Sequence, residues 1–379
     1  MNKEVAYWMA LAHLPRWTHL KINNLIIKFY HEHKISIQNF FQLSENDWKN
    51  IYSLENKEIE DLKTAKSSLS NYAFLAETMH YEGYEFIPIT SSEYSPTLKE
   101  NLKSTYAPAL LYVKGNKQIM KEKSIAIVGS RQASEISMKF TDNIAKLACL
   151  NYKVVVSGFA KGVDKHALDS SLNYKGQSII VLPQGIMTFG LGFKNYYKQI
   201  INGDVLVLST FHPKAPWKAE LAMARNPIIY GLADEIYVAE SSEKGGTWSG
   251  VIDGLRKNRK IYVRKPEISE NNANDLLIQK GAIAVDMNGE VLKTQAAKIS
   301  EENSLCVSDL KTNYESIIHN LLTHGTYTTH DILKKLKLSW SEKELKDYLK
   351  NQKDIEVIHK KPLRFTTKNP VSKQKTLFD

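Results

Sequence analysis

Cysteine is almost missing from this chain: Cys149 and Cys306 are the only two in 379 residues. That excludes a disulfide framework and a four-ligand zinc ribbon. No apolar run of about 18 residues occurs, so no membrane-spanning helix is expected. The opening MNKEVAYWMALAHL lacks an apolar core of roughly 7–15 residues followed by a small-residue cleavage site, so no signal peptide is expected. These absences point to the cytoplasm. Three motifs of catalysis or cofactor binding are missing as well. There is no GxxxxGK[ST], which excludes a P-loop NTPase, and no GxSxG nucleophile elbow. No GxGxxG follows the first strand of the parallel pattern, which argues against a dinucleotide cofactor. His166 and His212 stand alone in the sequence and read as structural. Neither a metal, a cofactor nor a catalytic reaction is expected.

What the chain does have is positive charge. Lys and Arg number 51 against 41 Asp and Glu, a net charge of +10, and a basic balance favours anionic partners. Residues 1–75 carry 9 basic and 8 acidic residues, 115–290 carry 23 and 17, and 311–379 carry 14 and 8. A polyanion site is therefore expected in the middle or the C-terminal part.

Hydrophobic periodicity divides the chain. Residues 1–75 read as short helices, with Ile22, Leu25, Ile26 and Phe29 at helical spacing and an N-cap at Ser44 supported by Asp47. From residue 124 apolar strands alternate with helices: 124–128, 153–156, 177–182, 204–208, 235–239, 260–263 and 282–285. That alternation is the mark of a parallel sheet covered on both faces. Two further strand candidates, 85–89 and 106–113, precede it. Residues 291–310 are polar and read as a linker. Residues 311–367 read as three helices, the third opened by a capping box from Ser341 to Glu344, and a β-ribbon turning at Lys360-Lys361-Pro362; this pattern describes a winged helix. Residues 368–379 read as a disordered tail.

Ligands of an open parallel sheet bind outside the carboxyl ends of its strands. Three strand ends carry glycine turns here: Gly129-Ser130-Arg131, Ser157-Gly158 with Lys161-Gly162, and Gly245-Gly246-Thr247. Glycine lets the backbone approach an anion, and helix N-termini offer amides to phosphate oxygens. Tight βα turns without a ligand would use glycine too. Asp164 reads as an N-cap or first-turn acid of the following helix. Arg225-Asn226 precede an apolar helix or turn and suit either a phosphate or base contact or a surface salt bridge.

Taken together, Ile127-Val-Gly-Ser-Arg131, Ser157-Gly-Phe-Ala-Lys-Gly-Val-Asp164, Arg225-Asn-Pro-Ile-Ile-Tyr-Gly-Leu232 and Gly245-Gly-Thr247 resemble, in order and spacing, the core motifs of the DprA/Smf family. The resemblance implies an α/β fold: a Rossmann-like, doubly wound, mostly parallel sheet over residues 76–290. A helical SAM/HhH-like module at 1–75 and a C-terminal winged helix flank it. It implies a cytoplasmic, homodimeric protein that binds and protects single-stranded DNA and helps load the recombinase RecA, with no chemical reaction of its own. Carried over, the DNA-binding residues are Gly129, Ser130, Arg131, Ser157, Gly158, Lys161, Gly162, Arg225, Asn226, Gly245, Gly246 and Thr247. This sequence departs from the family pattern in several places. Leu168 stands where a histidine usually follows the motif aspartate, and Pro227 replaces the second arginine of RNR. Pro15-Arg16-Trp17-Thr18 occupies the region of a GxG hairpin, and the usual GSL turn is Gly245-Gly-Thr-Trp248. The departures mark a divergent branch, suited to genome maintenance or phage defence, whose residues 1–75 are not expected to bind DNA.

Two rival readings stay open. One is a nucleotide-sensing domain with a winged-helix output, since a pocket for one DNA phosphate also suits a mononucleotide. The related phosphoribohydrolase motif PGGxGTxxE is not met, because Gly245-Gly246-Thr247 lacks its proline and its glutamate. The other is a duplex-binding regulator using Lys343, Lys346 and Lys350 with Lys360, Lys361 and Arg364. Glu342, Glu344 and Asp347 interleave with those lysines and suit a protein-interaction face equally. Finally, Gln374-Lys-Thr-Leu377-Phe378 resembles the QxxLF peptide that docks on the replicative sliding clamp, a further expected partner.

Overall fold

A computed structural model describes residues 4–292, 318–323, 325–336, 342–352, 354–360 and 363–367. The chain falls into two compact units, divided after Leu292.

Six short helices open the first unit: α1 (Val5–Ala12), α2 (His19–Ile26), α3 (Ile37–Gln42), α4 (Glu45–Asn50), α5 (Asn56–Ser67) and α6 (Leu69–Tyr81). Thr18, Ser36 and Ser44 each accept a backbone N–H of the first turn, and Ser44 with Asp47 completes a capping box. Their apolar faces, with Phe29 from the π-helical Ile27–Glu32 that continues α2, bury Trp8, Phe40 and Trp48 in the same core as the sheet. Asn23 of α2 ties them to α7 (Pro96–Tyr106), donating through Nδ2 to the carbonyls of Ser104 and Ala107, both at 2.8 Å.

The sheet has nine strands: β1 (Glu85–Pro88), β2 (Leu110–Lys114), β3 (Ser124–Val128), β4 (Val154–Ser157), β5 (Ser178–Val181), β6 (Val205–Ser209), β7 (Glu235–Val238), β8 (Ile261–Arg264) and β9 (Ile283–Val285). Their order is β1-β2-β6-β5-β4-β3-β7-β8-β9. β6 through β9 in that order are parallel, and β2 and β1 extend the sheet in antiparallel sense. The α/β expectation holds, with a large, mostly parallel sheet.

Alternation along β3 explains both layers. Ile125 and Ile127 pack with Phe140 and Ile144 of α8 (Glu135–Leu150) and Val163 of α9 (Val163–Asn173). Ala126 and Val128 face the other core, which holds Ile228 and Ile229 of α12 (Ala219–Leu232) and Val251 of α13 (Gly246–Arg256). The short α10 (Gly190–Asn195) and α11 (Tyr197–Ile201) lie between β5 and β6, and α14 (Asn274–Gln279) between β8 and β9. Burying a side chain such as Ile127 is worth about 1.5–3 kcal/mol. From β3 the chain winds outward through β4, β5 and β6, then returns to place β7 on the other side of β3. The β3/β7 junction is the switch point where such sheets open a crevice.

The described part of the second unit comprises α15 (318–323), α16 (Thr329–Leu336), α17 (Glu342–Asn351) and an antiparallel ribbon of β10 (Ile355–Lys360) with β11 (Leu363–Thr367). Ile318, Leu322, Ile332, Leu345, Leu349 and Phe365 form its core. Lys346 and Lys350 are exposed, and Glu342 pairs with His330 at 3.1 Å. Cys306, Ser341, Lys361, Pro362, all of the 291–310 linker beyond Leu292, and the tail with Gln374, Leu377 and Phe378 lie outside the described residues. Among the described residues no helix is long and apolar enough to cross a membrane.

Candidate functional site

Two adjoining cavities open at the carboxyl ends of the parallel strands. The first, about 380 Å³, lies at the β3/β7 switch point. Gly129, Ser130 and Arg131 come to it from the turn after β3, and Gly245, Gly246 and Thr247 from the start of α13. Arg225 and Asn226 reach it from α12. The second, about 440 Å³, takes Gly158 and Lys161 from the turn after β4 and shares Arg131, Ala160, Ala222 and Arg225 with the first. Ten of the twelve residues expected to bind DNA therefore line one cavity or both.

Ser157 and Gly162, the other two, sit behind the lining. Ser157 is buried, and its hydroxyl donates to the Ile127 carbonyl at 2.9 Å, joining β4 to β3. Gly162 caps α9 with φ +88°, and a Cβ there would run into the Ser130 carbonyl. That carbonyl accepts the Val163 amide at 3.2 Å, which locks the β3 turn against α9. Gly162→Ala is expected to cost about 2 kcal/mol or more, from left-handed backbone strain plus the overlap. A urea melt against Gly245→Ala checks it, since Gly245 shares the positive φ but has open space at its Cβ position.

Arg225 departs from the sequence reading. It lies within α12, not before a helix, and its side chain is 4% exposed. Nη1 donates to the Val181 carbonyl at 2.9 Å, and Nη2 stands 3.9 Å from Asp164. The guanidinium fills the space over Gly158, where a Cβ would overlap it. Pro227, one turn from the helix end, donates no amide to the Met223 carbonyl, and both residues stand at the mouth of a smaller hollow.

Asp164 is in the first turn of α9, but its main partners are long-range. Its carboxylate accepts the backbone amides of Gly129 and Gly158 and faces Arg225. It thereby ties the turns after β3 and β4 to one acceptor. Burial holds its carboxyl above the usual range, against the pull of Arg225 and the two amides. The amides of Gly129 and Gly158 thus point at Asp164. Besides Arg225, the cations on the cavity walls are Arg131, Lys161 and Lys244, and the first turn of α13 adds backbone amides. That helix has a glycine N-cap and no acidic residue in its first turn. None of these three cations makes an ion pair among the described residues.

A glutamate holds the Arg131 loop in place. Glu240, just after β7, accepts Ser134 N at 2.9 Å, Ser134 Oγ at 2.7 Å and Ser137 Oγ at 2.8 Å through one carboxylate oxygen. Its carbonyl takes the Ser130 amide at 2.9 Å. Buried Arg264 donates to the Ser137 hydroxyl at 2.9 Å and pairs with Glu270.

Sequence reasoning missed the aromatic wall. Phe159, Phe189 and Trp217 line the second cavity. Phe159 takes φ +59° and stacks edge-on against Phe189 at 5.1 Å. Trp217 remains half exposed. The exposed Trp217 ring and the partly exposed Phe159, beside cations, are what unpaired bases need, while buried Phe189 backs Phe159. His212 also gains a neighbour: its ring meets His13 at 5.4 Å, and His13 Nε2 lies 2.7 Å from the Tyr112 hydroxyl. No group of three or more potential metal ligands occurs among the described residues.

Residues 85–296 match the family model for DNA recombination-mediator protein A. The chain is 32% identical over 189 residues to the DNA processing protein DprA of Streptococcus pneumoniae, an alignment covering 49% of this chain and 66% of that one. It is 25% identical over 311 residues to the protein Smf of Synechocystis, covering 78% and 74%. The crystal structure of DprA from Streptococcus pneumoniae superposes with a TM-score of 0.60 at 25% identity, over 75% of this chain and 95% of that one. The switch-point turns, their order along the chain and this match over more than half its length agree: the chain belongs to the DNA recombination-mediator protein A family, the DprA/Smf proteins.

Proposed function

We propose that this protein binds single-stranded DNA along the two joined cavities and acts without chemistry of its own, as a mediator handing the strand to a RecA-type recombinase. The observation that carries the reading is the trio of cations without an ion pair among the described residues, Lys244 in the first cavity, Arg131 in both and Lys161 in the second, where Phe159 and Trp217 stand. Cations neutralise the backbone and rings stack the bases, and neither asks for a particular sequence. Gly129, Ser130, Gly158, Gly245, Gly246 and Thr247 shape the walls, Ser157, Gly162 and Arg225 hold them, and Asn226 faces the strand. Residues 1–75 act as a SAM/HhH-like helical module and 311–367 as a winged helix. The protein works in the cytoplasm as a homodimer, and the tail docks on the sliding clamp.

Fluorescence anisotropy with a labelled strand and the matched duplex, across a salt series, tests this. Binding is expected to prefer the strand and to weaken steeply with salt. Arg131→Glu is expected to lower affinity at least about tenfold and to reduce the salt slope by about one or more. A duplex preference indifferent to Arg131 would overturn the reading.

A further inference from the structure

The second cavity carries an apolar wall open to water. Trp217 and Leu191 stand on it 53% and 79% exposed, with Phe159 partly exposed beside the same space. Covering such surface is favourable, and a flat base covers it where a phosphate does not.

One polar side chain on this wall is held as a hydrogen-bond acceptor. Gln184 follows β5 and lines the cavity together with Thr188. Its backbone is fixed on both sides: its carbonyl accepts the Ser209 hydroxyl at 2.7 Å, and the next amide, that of Gly185, donates to the Ala215 carbonyl at 2.9 Å. Its side-chain Nε2 donates to the Thr188 carbonyl and to Thr188 Oγ1, both at 2.9 Å. The Thr188 hydroxyl directs its own hydrogen to the Gly185 carbonyl at 2.8 Å, so toward Gln184 it accepts. Turning the amide over would set Oε1 against the Thr188 carbonyl, two acceptors in contact. Oε1 has no partner among the described residues and stays open to solvent. An acceptor already held in place asks for an N–H donor at little further ordering cost.

The donor belongs to a base. Phosphodiester oxygens only accept, so Gln184 Oε1 repels them. Thymine and guanine carry a ring N–H beside a keto oxygen on the edge that unpaired strands expose, whereas adenine and cytosine carry a lone pair at that ring position. Lys161 and Arg131, on the same cavity, are donors suited to the keto oxygen.

We infer that the second cavity takes one unpaired base and that Gln184 is a specificity-determining residue there. Its Oε1 accepts the ring N–H of thymine or guanine, whose keto oxygen turns to Lys161 or Arg131. The inference rests on the strand-binding reading and adds a base preference to it. Phosphate contacts still supply most of the affinity.

The test uses fluorescence anisotropy of the full-length protein with 20-mers of dT, of N3-methylthymidine, in which a methyl replaces the ring N–H, and of dC. Wild type is expected to bind dT at least about threefold more tightly than either of the others. Gln184→Ala is expected to level the three strands while leaving the salt slope unchanged, because it touches no phosphate contact. A merely structural glutamine would instead weaken all three strands alike. If wild type binds the three alike, or Gln184→Ala keeps the wild-type preference, base reading is overturned while strand binding stands. If no 20-mer binds at low salt, the strand-binding reading falls and this inference with it.

Discussion

Asp164→Ala is expected to destabilise the first unit by about 3–5 kcal/mol, because it strips a buried guanidinium and two buried amides of one shared acceptor. Arg225 would face no carboxylate, and the amides of Gly129 and Gly158 would be left unpaired where water reaches poorly. Strand binding should fall with stability, since both turns hang on this side chain. Asp164→Asn separates charge from geometry: its amide oxygen still accepts one or both amides. The sign of the pH effect follows from burial. Because the folded protein holds this carboxyl above its ordinary 3.8, the ionised form is the less favoured one in the fold. Its contribution to stability is greatest below pH 3.8 and declines as pH rises through the raised value. The asparagine variant should lose that decline. Urea melts of both variants from pH 4 to 7 check it, and an alanine variant as stable as wild type would refute the role.

His13 is expected to make the protein acid-labile. Its ring stacks on buried Tyr112 and stands edge-on to His212, and burial, with His212 beside it, brings its pKa down from 6.5 to about 3. The fold holds the neutral ring, while the unfolded chain takes up a proton below pH 6.5. Stability from this group is therefore fully present above pH 6.5 and is lost as pH falls toward 3, by up to about 1.4 kcal/mol per pH unit. His212, also lowered by burial, acts in the same direction. His13→Gln keeps a hydrogen-bonding partner for Tyr112 without titrating. The difference in unfolding free energy between wild type and this variant should shrink by several kcal/mol from pH 7 to pH 4. A constant difference would show that the ring is hydrated. Because His13 ends α1 and Tyr112 lies in β2, the loss should loosen the N-terminal helices from the sheet.

The parallel strands were readable because each is a short, mostly apolar run, and burial on both faces demands that pattern. The turns were readable because glycine has few other reasons to stand at the ends of β3 and β4. What stayed hidden depends on distant partners. Arg225 looks like a surface residue beside a proline, and only the fold brings Val181 and Asp164 to it across 44 and 61 positions. Asp164 matched a first-turn acid, which it is, but nothing local says that it also takes the Gly129 amide. The start of α12 at Ala219 was missed because Arg225-Asn226 read as the polar lead into an apolar helix or turn, yet the helix runs through them and Pro227 to Leu232. His212 was isolated in sequence and found His13 from a helix 199 positions away. Trp217 lay in no motif and Phe159 stood inside the 157–164 motif without a role of its own, and their place on the wall became visible only once the cavity existed.

Photocrosslinking is the most direct test of where the strand lies. A single strand carrying 4-thiothymidine, irradiated with the full-length protein and mapped by mass spectrometry, should crosslink within residues 129–134, 158–161 and 217–230. Phe159 and Trp217 are the expected acceptors, and Arg131→Glu should sharply reduce the signal. Crosslinks confined to residues 318–367, unchanged in that variant, would place DNA on the second unit and contradict the account.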